Sequence, residues 1–373
     1  ARAIKDFYEQ RELKAPLEER LATNCAFLGG RQESAWSKSR RQMVVPIKLQ
    51  KQQDFLVYNI IKFMLSQKMS RFISASTCPD VSPFTSDESD QLVSRLSRDI
   101  LRYYHDTGLQ FPAVFDKFLR WAFASPVVWF EPSWDPMAGE ANTITLDDFF
   151  RDISPEMTQG MGDQMREEDL KVFRGLLGFD EGRNAVTQYA GDLAIHIRTV
   201  FDVMWYPFMA GGDFRKGVHA YLVSTVMAPE AAAARFRKSI DEILSMRGAT
   251  DAASSHYEKI IRNWTSPHID MPVLPQNEDF GVLVHVLYAD RTIRPPESSD
   301  DPGGITAVLI GDAAEALRVG PLDNALGVLP LFSFVEDPDN GLPWGTCCVD
   351  DSIPAQMELN DCRNSAAKSR RDR

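Results

Sequence analysis

Pro229-Glu-Ala-Ala-Ala-Ala-Arg-Phe236 and Asp350-Asp-Ser-Ile-Pro-Ala-Gln-Met-Glu-Leu-Asn360 decide the plan of the chain, because each opens a helix. The first has a proline in its opening turn, a carboxylate behind it and then strong helix formers. The second sets an aspartate or serine cap and a proline in the usual order, and its helical pattern continues to Arg373. Between them the sequence changes character. Val282-Leu-Val-His-Val-Leu-Tyr288 reads as a strand, Asp301-Pro-Gly-Gly304 as a turn, and Ile305–Ile310 as a second strand. Two long helices carrying a β-rich insert make an elongated subunit of the α+β class.

Upstream, residues 1–22 read as an amphipathic helix, with Ile4, Phe7, Leu13, Leu17 and Leu21 on one side, broken by the glycines of Asn24-Cys-Ala-Phe-Leu-Gly-Gly-Arg-Gln32. A core helix is expected over Asp54–Phe72. A helical hairpin follows, Asp87–His105 and Phe111–Ala124, in which Leu92, Leu96 and Ile100 form a buried stripe. Strand and turn begin at Val127. Residues 137–165 read as an exposed acidic insertion, with a short helix at Asp169–Leu177. Leu193–Val200 alternates as a strand, Gly211–Gly217 is a surface turn, and the strand Ala220–Met227 leads into Pro229.

At 373 residues, with 44% apolar content, the chain can bury a sizeable core. Its net charge of −12 argues against a general nucleic-acid binder and leaves open contact with DNA as a wall that repels its phosphates. The five cysteines show no CxxC or zinc spacing, so a reduced intracellular setting is expected. The apolar run Phe118–Phe130 is too short for a bilayer, and no membrane partner is expected. Both ends read as cut from a longer chain.

Catalytic motifs are weak. Gly212–Gly217 has phosphate-loop glycines, but Val218 and His219 stand where a lysine and a hydroxyl are required. Gly160-Met-Gly162 lacks the third glycine of a dinucleotide site. The six histidines form no HxH, HExxH or i,i+4 pair. Asp350-Asp351 suits a helix start and Asp300-Asp301 a turn. Arg237 and Lys238 have i,i+4 partners in Asp241 and Glu242. No cofactor, metal or catalytic residue is expected. The positive cluster is the basic end, Arg363, Lys368, Arg370, Arg371 and Arg373, which reads either as a solvated helix face or as a face meeting phosphates.

In order, these features resemble a tailed-bacteriophage portal protein of the podovirus-like kind. Asn24–Gln32 is similar to the family's Asn-x-x-Phe-x-x-Gly-x-Gln stretch. Leu101-Arg-Tyr-Tyr104 and Val128-Trp-Phe-Glu-Pro-Ser-Trp-Asp-Pro-Met-Ala-Gly139 resemble the wing helices and the turn after them. Gly191–Pro207 resembles the strand pair ending in a proline turn, and Tyr221–Phe236 the strand running into the first stem helix. Leu342-Pro-Trp-Gly345 with Asp351–Asn360 is similar to the approach to the second stem helix. Ser352 stands where a leucine is commoner, and Cys347-Cys348 is peculiar to this chain.

The resemblance implies a non-enzymatic virion protein: a ring of about twelve copies at one capsid vertex, assembled in the host cytoplasm. Double-stranded DNA would pass through it during packaging and ejection. Residues 1–227 would be the wing facing the major capsid protein, 228–264 the first stem helix and linker, 265–336 the clip, and 337–373 the second stem helix. The tunnel loop, returning wing and crown would follow Arg373. The stem helices Pro229–Met246 and Ser352–Arg373, each roughly 25–35 Å long, would line the channel. Arg235, Lys238, Arg363, Lys368, Arg370 and Arg371 would face the DNA. Trp264, Tyr288, Arg291, Arg294, Leu331 and Phe334 would form the clip surface for terminase and tail adaptors. The alternatives are another head–tail connector, or a metal-dependent hydrolase using the acids of Asp147–Asp152 and Glu167–Asp169.

Overall fold

The computed structural model describes residues 11–37, 42–44, 57–74, 80–135, 141–145, 185–189, 191–209, 214–236, 238–246, 281–295, 303–311, 316–322, 328–339 and 341–371. It has two compact units, residues 133–194 and the remainder. The class is α+β.

Helix α1 (Arg11–Leu28) runs six residues past the expected end at residue 22 and stops at the glycines expected to break it. Leu17, Leu21, Cys25 and Leu28 continue one buried stripe at steps of three or four, and that burial carries the helix onward. The chain turns only at Gly29-Gly30, where Gly30 takes φ +84°. Strands β1 (Ala35–Ser37) and β2 (Gln42–Val44) form a small antiparallel ribbon. Helix α2 (Ile60–Ser74) buries Ile61 and Met69. Helix α3 (Glu88–Tyr103) passes through a π-helical turn, Tyr104–Gly108, toward α4 (Phe111–Ala122), which buries Phe118, Leu119 and Ala122.

One expectation is reversed in α3. Its buried residue is Ser94, while Leu92, Leu96 and Ile100 face solvent.

Strand β3 (Val128–Asp135) comes next. In the smaller unit β4 (Ala141–Thr145) pairs antiparallel with β5 (Ala185–Tyr189), so part of the expected insertion is strand. The expected helix at 169–177 lies outside the described residues. Strand β6 (Asp192–Arg198) follows, then β7 (Val203–Tyr206), a single helical turn α5 (Phe214–Gly217) and β8 (Ala220–Met227).

The first long helix is two. Helix α6 (Pro229–Phe236) ends, and α7 (Ile240–Met246) begins afresh. Ser239 causes the restart: its Oγ accepts the Glu242 N–H at 3.1 Å, and Asp241 and Glu242 fill the first turn of α7.

The β-rich segment does not stand apart from what precedes it. Strands β9 (Val282–Ala289), β10 (Ile305–Ile310) and β11 (Arg318–Gly320) join β8 and β7 in one five-stranded antiparallel sheet, ordered β11-β10-β9-β8-β7. Along β8–β9 the register runs from Ala220 opposite Ala289 to Met227 opposite Val282. Strand β12 (Phe332–Phe334) pairs with β3, in a sheet ordered β12-β3-β6. The expected clip and wing therefore share both sheets. Strands β9 and β10 are apolar on both faces, and burying them between neighbours wins over projecting them into solvent.

Strands β13 (Asp337–Pro338) and β14 (Gly345–Thr346) form a last short ribbon before α8 (Cys348–Arg371). Helix α8 starts at Cys348, four residues before the expected first residue Ser352, and Pro354 lies inside it. The main core is aromatic: Trp205 packs on Trp129, Phe208 and Phe214 at ring separations of 5.4, 5.1 and 5.3 Å, and Phe208 meets Trp344 at 5.0 Å.

Candidate functional site: the anchored long helix

Helix α8 spans 24 residues, about 36 Å. Its first half is held by buried polar side chains and its second half is largely exposed.

At its root, Asn24 of α1 is wholly buried and donates from Nδ2 to Asp350 Oδ1 and to the Ala124 carbonyl, each at 2.8 Å. The other Asp350 oxygen takes Arg20 Nη2 at 2.7 Å and the Cys347 N–H at 3.0 Å. Asp350 thus closes half of a capping box on its own helix while tying that helix to α1. Glu336 accepts the Cys348 N–H at 2.8 Å and pairs with Lys68 of α2, whose ammonium lies 4.5 Å from the Phe123 ring centre. The bonds to Asn24 and to the Cys347 and Cys348 N–H groups use donors that would otherwise be left without a partner at a helix start or in the core, while Arg20 and Lys68 remain partly exposed.

Two turns further on come Gln356 and Asn360, one helical turn apart and both buried. Gln356 Oε1 accepts the N–H groups of Ile60 and Ile61 at 3.0 and 3.3 Å, and its Nε2 donates to the Tyr58 carbonyl at 2.8 Å. A side chain of α8 therefore caps the start of α2. Asn360 Oδ1 accepts from Gln356 Nε2 at 3.1 Å, and Asn360 Nδ2 donates to Gln32 Oε1. Gln32 in turn donates to the Phe27 carbonyl at the end of α1. Amides fit here because each supplies a donor and an acceptor without a charge to desolvate.

Burial sets the thiol chemistry beside the root. The Cys347 thiol is pushed well above the ordinary thiol range by burial and then by the Asp350 charge. Cys348 is pushed up to about 11 by burial and Glu336. Both are poor nucleophiles near neutrality.

Among the residues expected to face DNA, Lys368 and Arg370 are exposed near the end of α8, and Arg371 closes the helix. Arg363 is exposed but lies over the Tyr58 ring at 4.2 Å. Arg235 is exposed on α6, and Lys238 pairs with Glu242 at 2.6 Å.

The expected terminase and adaptor surface is dispersed. Trp264 lies outside the described residues. Leu331 is in the main core, where an exposed position was expected. Tyr288 donates to Glu131 at 2.9 Å, and Glu131, itself buried, takes Arg198 Nε at 2.6 Å. Burial and then the Glu131 charge push the Tyr288 hydroxyl upward, so it stays a donor. Arg294 donates to the Gly304 carbonyl at 2.9 Å, joining the residues that follow β9 to those that precede β10. Phe334 is half-covered by Phe118, edge to face at 5.1 Å. Arg291 is exposed.

The anchoring amides Gln32, Gln356 and Asn360 were missed as site residues, although Gln356 and Asn360 sit at i,i+4 in a stretch quoted for its resemblance. Among the described residues no cluster of His, Cys, Asp and Glu could hold a metal ion, and no helix is long and apolar enough to cross a membrane. The acids of Asp147–Asp152 and Glu167–Asp169 lie outside the described residues. No protein-family model matches the chain, and no curated protein matches it.

Proposed function

We propose that this chain is a portal subunit of a tailed bacteriophage: a structural protein, not an enzyme, acting in the virion after assembly in the host cytoplasm. About twelve copies close a ring at one capsid vertex, and double-stranded DNA passes through it during packaging and ejection. The observation that carries the reading is α8. Its inner half is fixed in one rotational setting by Asp350, Gln356 and Asn360, while its outer half carries Lys368 and Arg370 into solvent. A helix gripped at one end and bare at the other suits a channel wall, in which neighbouring copies stand side by side. An acidic subunit with a few fixed cations lets DNA slide, because dense phosphate contacts would hold it.

The major capsid protein, terminase and tail adaptors are the partners that this role requires. The described positions suggest that Arg291 and Phe334 are better placed to touch a partner than Leu331 or Tyr288, which the fold uses internally.

Negative-stain imaging of the protein expressed from its complete gene tests the reading. Rings with a central hole are expected. A uniform field of compact single subunits would overturn it.

A further inference from the structure

Helix α3 is folded with its apolar side out. Ser94 is its buried residue, and on the opposite side Leu92, Leu96 and Ile100 are 68, 60 and 47% exposed. Val93 and Tyr103 widen the same stripe. A helix of this length gains little stability by itself, and such a stripe facing water is the mark of a contact surface.

A second outward apolar pair sits on α2, where Phe63 and Met64 are 65 and 56% exposed, opposite the side that buries Ile61 and Met69. Opposite charges can be set against each other at both ends of such a contact. Helix α2 carries Lys62 and Arg71 beside Lys68, which Glu336 already holds, and no carboxylate; α3 carries Arg95, Arg98 and Arg102, but Asp87, Glu88 and Asp90 make its start acidic and Asp99 adds a carboxylate further along. Spacing matches as well. Arg71 lies two turns beyond Met64, and Asp99 two turns beyond Leu92, about 10 Å along either axis. With the helices parallel, Met64 meets Leu92 and Arg71 meets Asp99.

Two different complementary faces on one chain make a head-to-tail contact, the kind that closes rings. We propose that α3 of each copy docks on α2 of the next, with Leu92 and Leu96 against Phe63 and Met64 and an Arg71–Asp99 pair at the rim. The occupant of the stripe is thus a second copy of this chain, and the proposal rests on the ring reading above.

The test introduces Met64→Cys and Leu92→Cys together into the complete protein, with Cys78→Ser and Cys362→Ser, which leaves only the buried Cys25 and Cys347 and the half-buried Cys348 as other thiols. Mild oxidation is expected to give a ladder of disulfide-linked multimers up to the full ring, whereas either cysteine alone gives none. Leu96→Glu, on a face that the single subunit leaves exposed, is expected to keep the circular dichroism of the wild type. It should raise the concentration needed for assembly by about tenfold or more. Asp99→Arg should weaken assembly, and adding Arg71→Asp should restore it. Rings that form without the disulfide and are indifferent to Leu96→Glu would overturn this contact and leave the ring reading standing. Dimers cross-linked through Leu92→Cys alone would overturn it in favour of a face-to-face pair. A wild type that forms no rings would overturn the ring reading itself.

Discussion

The side-chain oxygen of Gln356 accepts the backbone N–H of Ile60 at 3.0 Å, so a residue of the last helix caps a helix that starts 296 positions earlier. This contact fixes the rotation of α8, because only one setting of the helix brings the amide onto both Ile60 and Ile61. Gln356→Ala would leave the Ile61 N–H without its partner and strip one bond each from the Ile60 N–H and the Tyr58 carbonyl, which keep only each other at 2.9 Å. We expect a loss of about 2–3 kcal/mol in chemical denaturation. Met357→Ala, one residue along and exposed, should change stability by less than about 0.5 kcal/mol.

Gly345 has no room for a side chain. A Cβ there would lie 1.9 Å from the Asp337 carbonyl oxygen across the β13–β14 ribbon and 2.6 Å from Val335. The obstacle is backbone, which cannot swing aside. Gly345→Ala should lower the melting temperature sharply, while Gly341→Ser, where nothing lies within 4 Å, should cost only its positive-φ strain of about 1 kcal/mol.

The cysteines should separate by reactivity. Cys25 and Cys347 are buried, with thiols held far above their ordinary range chiefly by burial, and Cys348 follows at about 11. Cys362 is exposed on α8. Alkylation of the native protein near pH 7.5, read by peptide mass mapping, should modify Cys362 well before Cys25, Cys347 or Cys348. Equal labelling of Cys347 and Cys362 would contradict the buried root of α8.

The Lys68–Glu336 pair gives a pH dependence with a definite sign. Burial alone would lower the Lys68 pKa, but the hydrogen bond to Glu336 and the charges of Cys348 and Glu336 together raise it above the ordinary 10.5. A raised lysine pKa stabilises the folded state at lower pH, and that contribution disappears as pH climbs through the raised value. Wild type should therefore be more stable than Glu336→Gln at pH 8, by a margin of about 1 kcal/mol or less given the partly exposed lysine. The margin should shrink above about pH 10.5. A margin that stays level across this range would show that the ion pair contributes nothing.

The sequence was read best where one periodicity ruled. The strand Ala220–Met227 and the helix through Asn360 stand where expected, because alternation, caps and helix formers agree there. It was read worst where a distant partner decided. The first helix was expected to span residues 1–22, yet buried bonds to Asp350 and Ala124 make Asn24 an internal helical residue. Leu92, Leu96 and Ile100 have the spacing of a core stripe, and spacing cannot say whether the covering surface belongs to the same copy. Strands 282–289 and 305–310 were recognised, but the pairing of the first with β8 depends on contacts some sixty residues apart. Ser239 was legible in principle: a serine followed three residues later by a glutamate signals a new helix start inside the expected one.

Native mass spectrometry of the protein from its complete gene tests the portal reading most directly. The reading predicts one dominant closed species whose mass is about twelve times that of the subunit. A stable monomer across the micromolar range would contradict it.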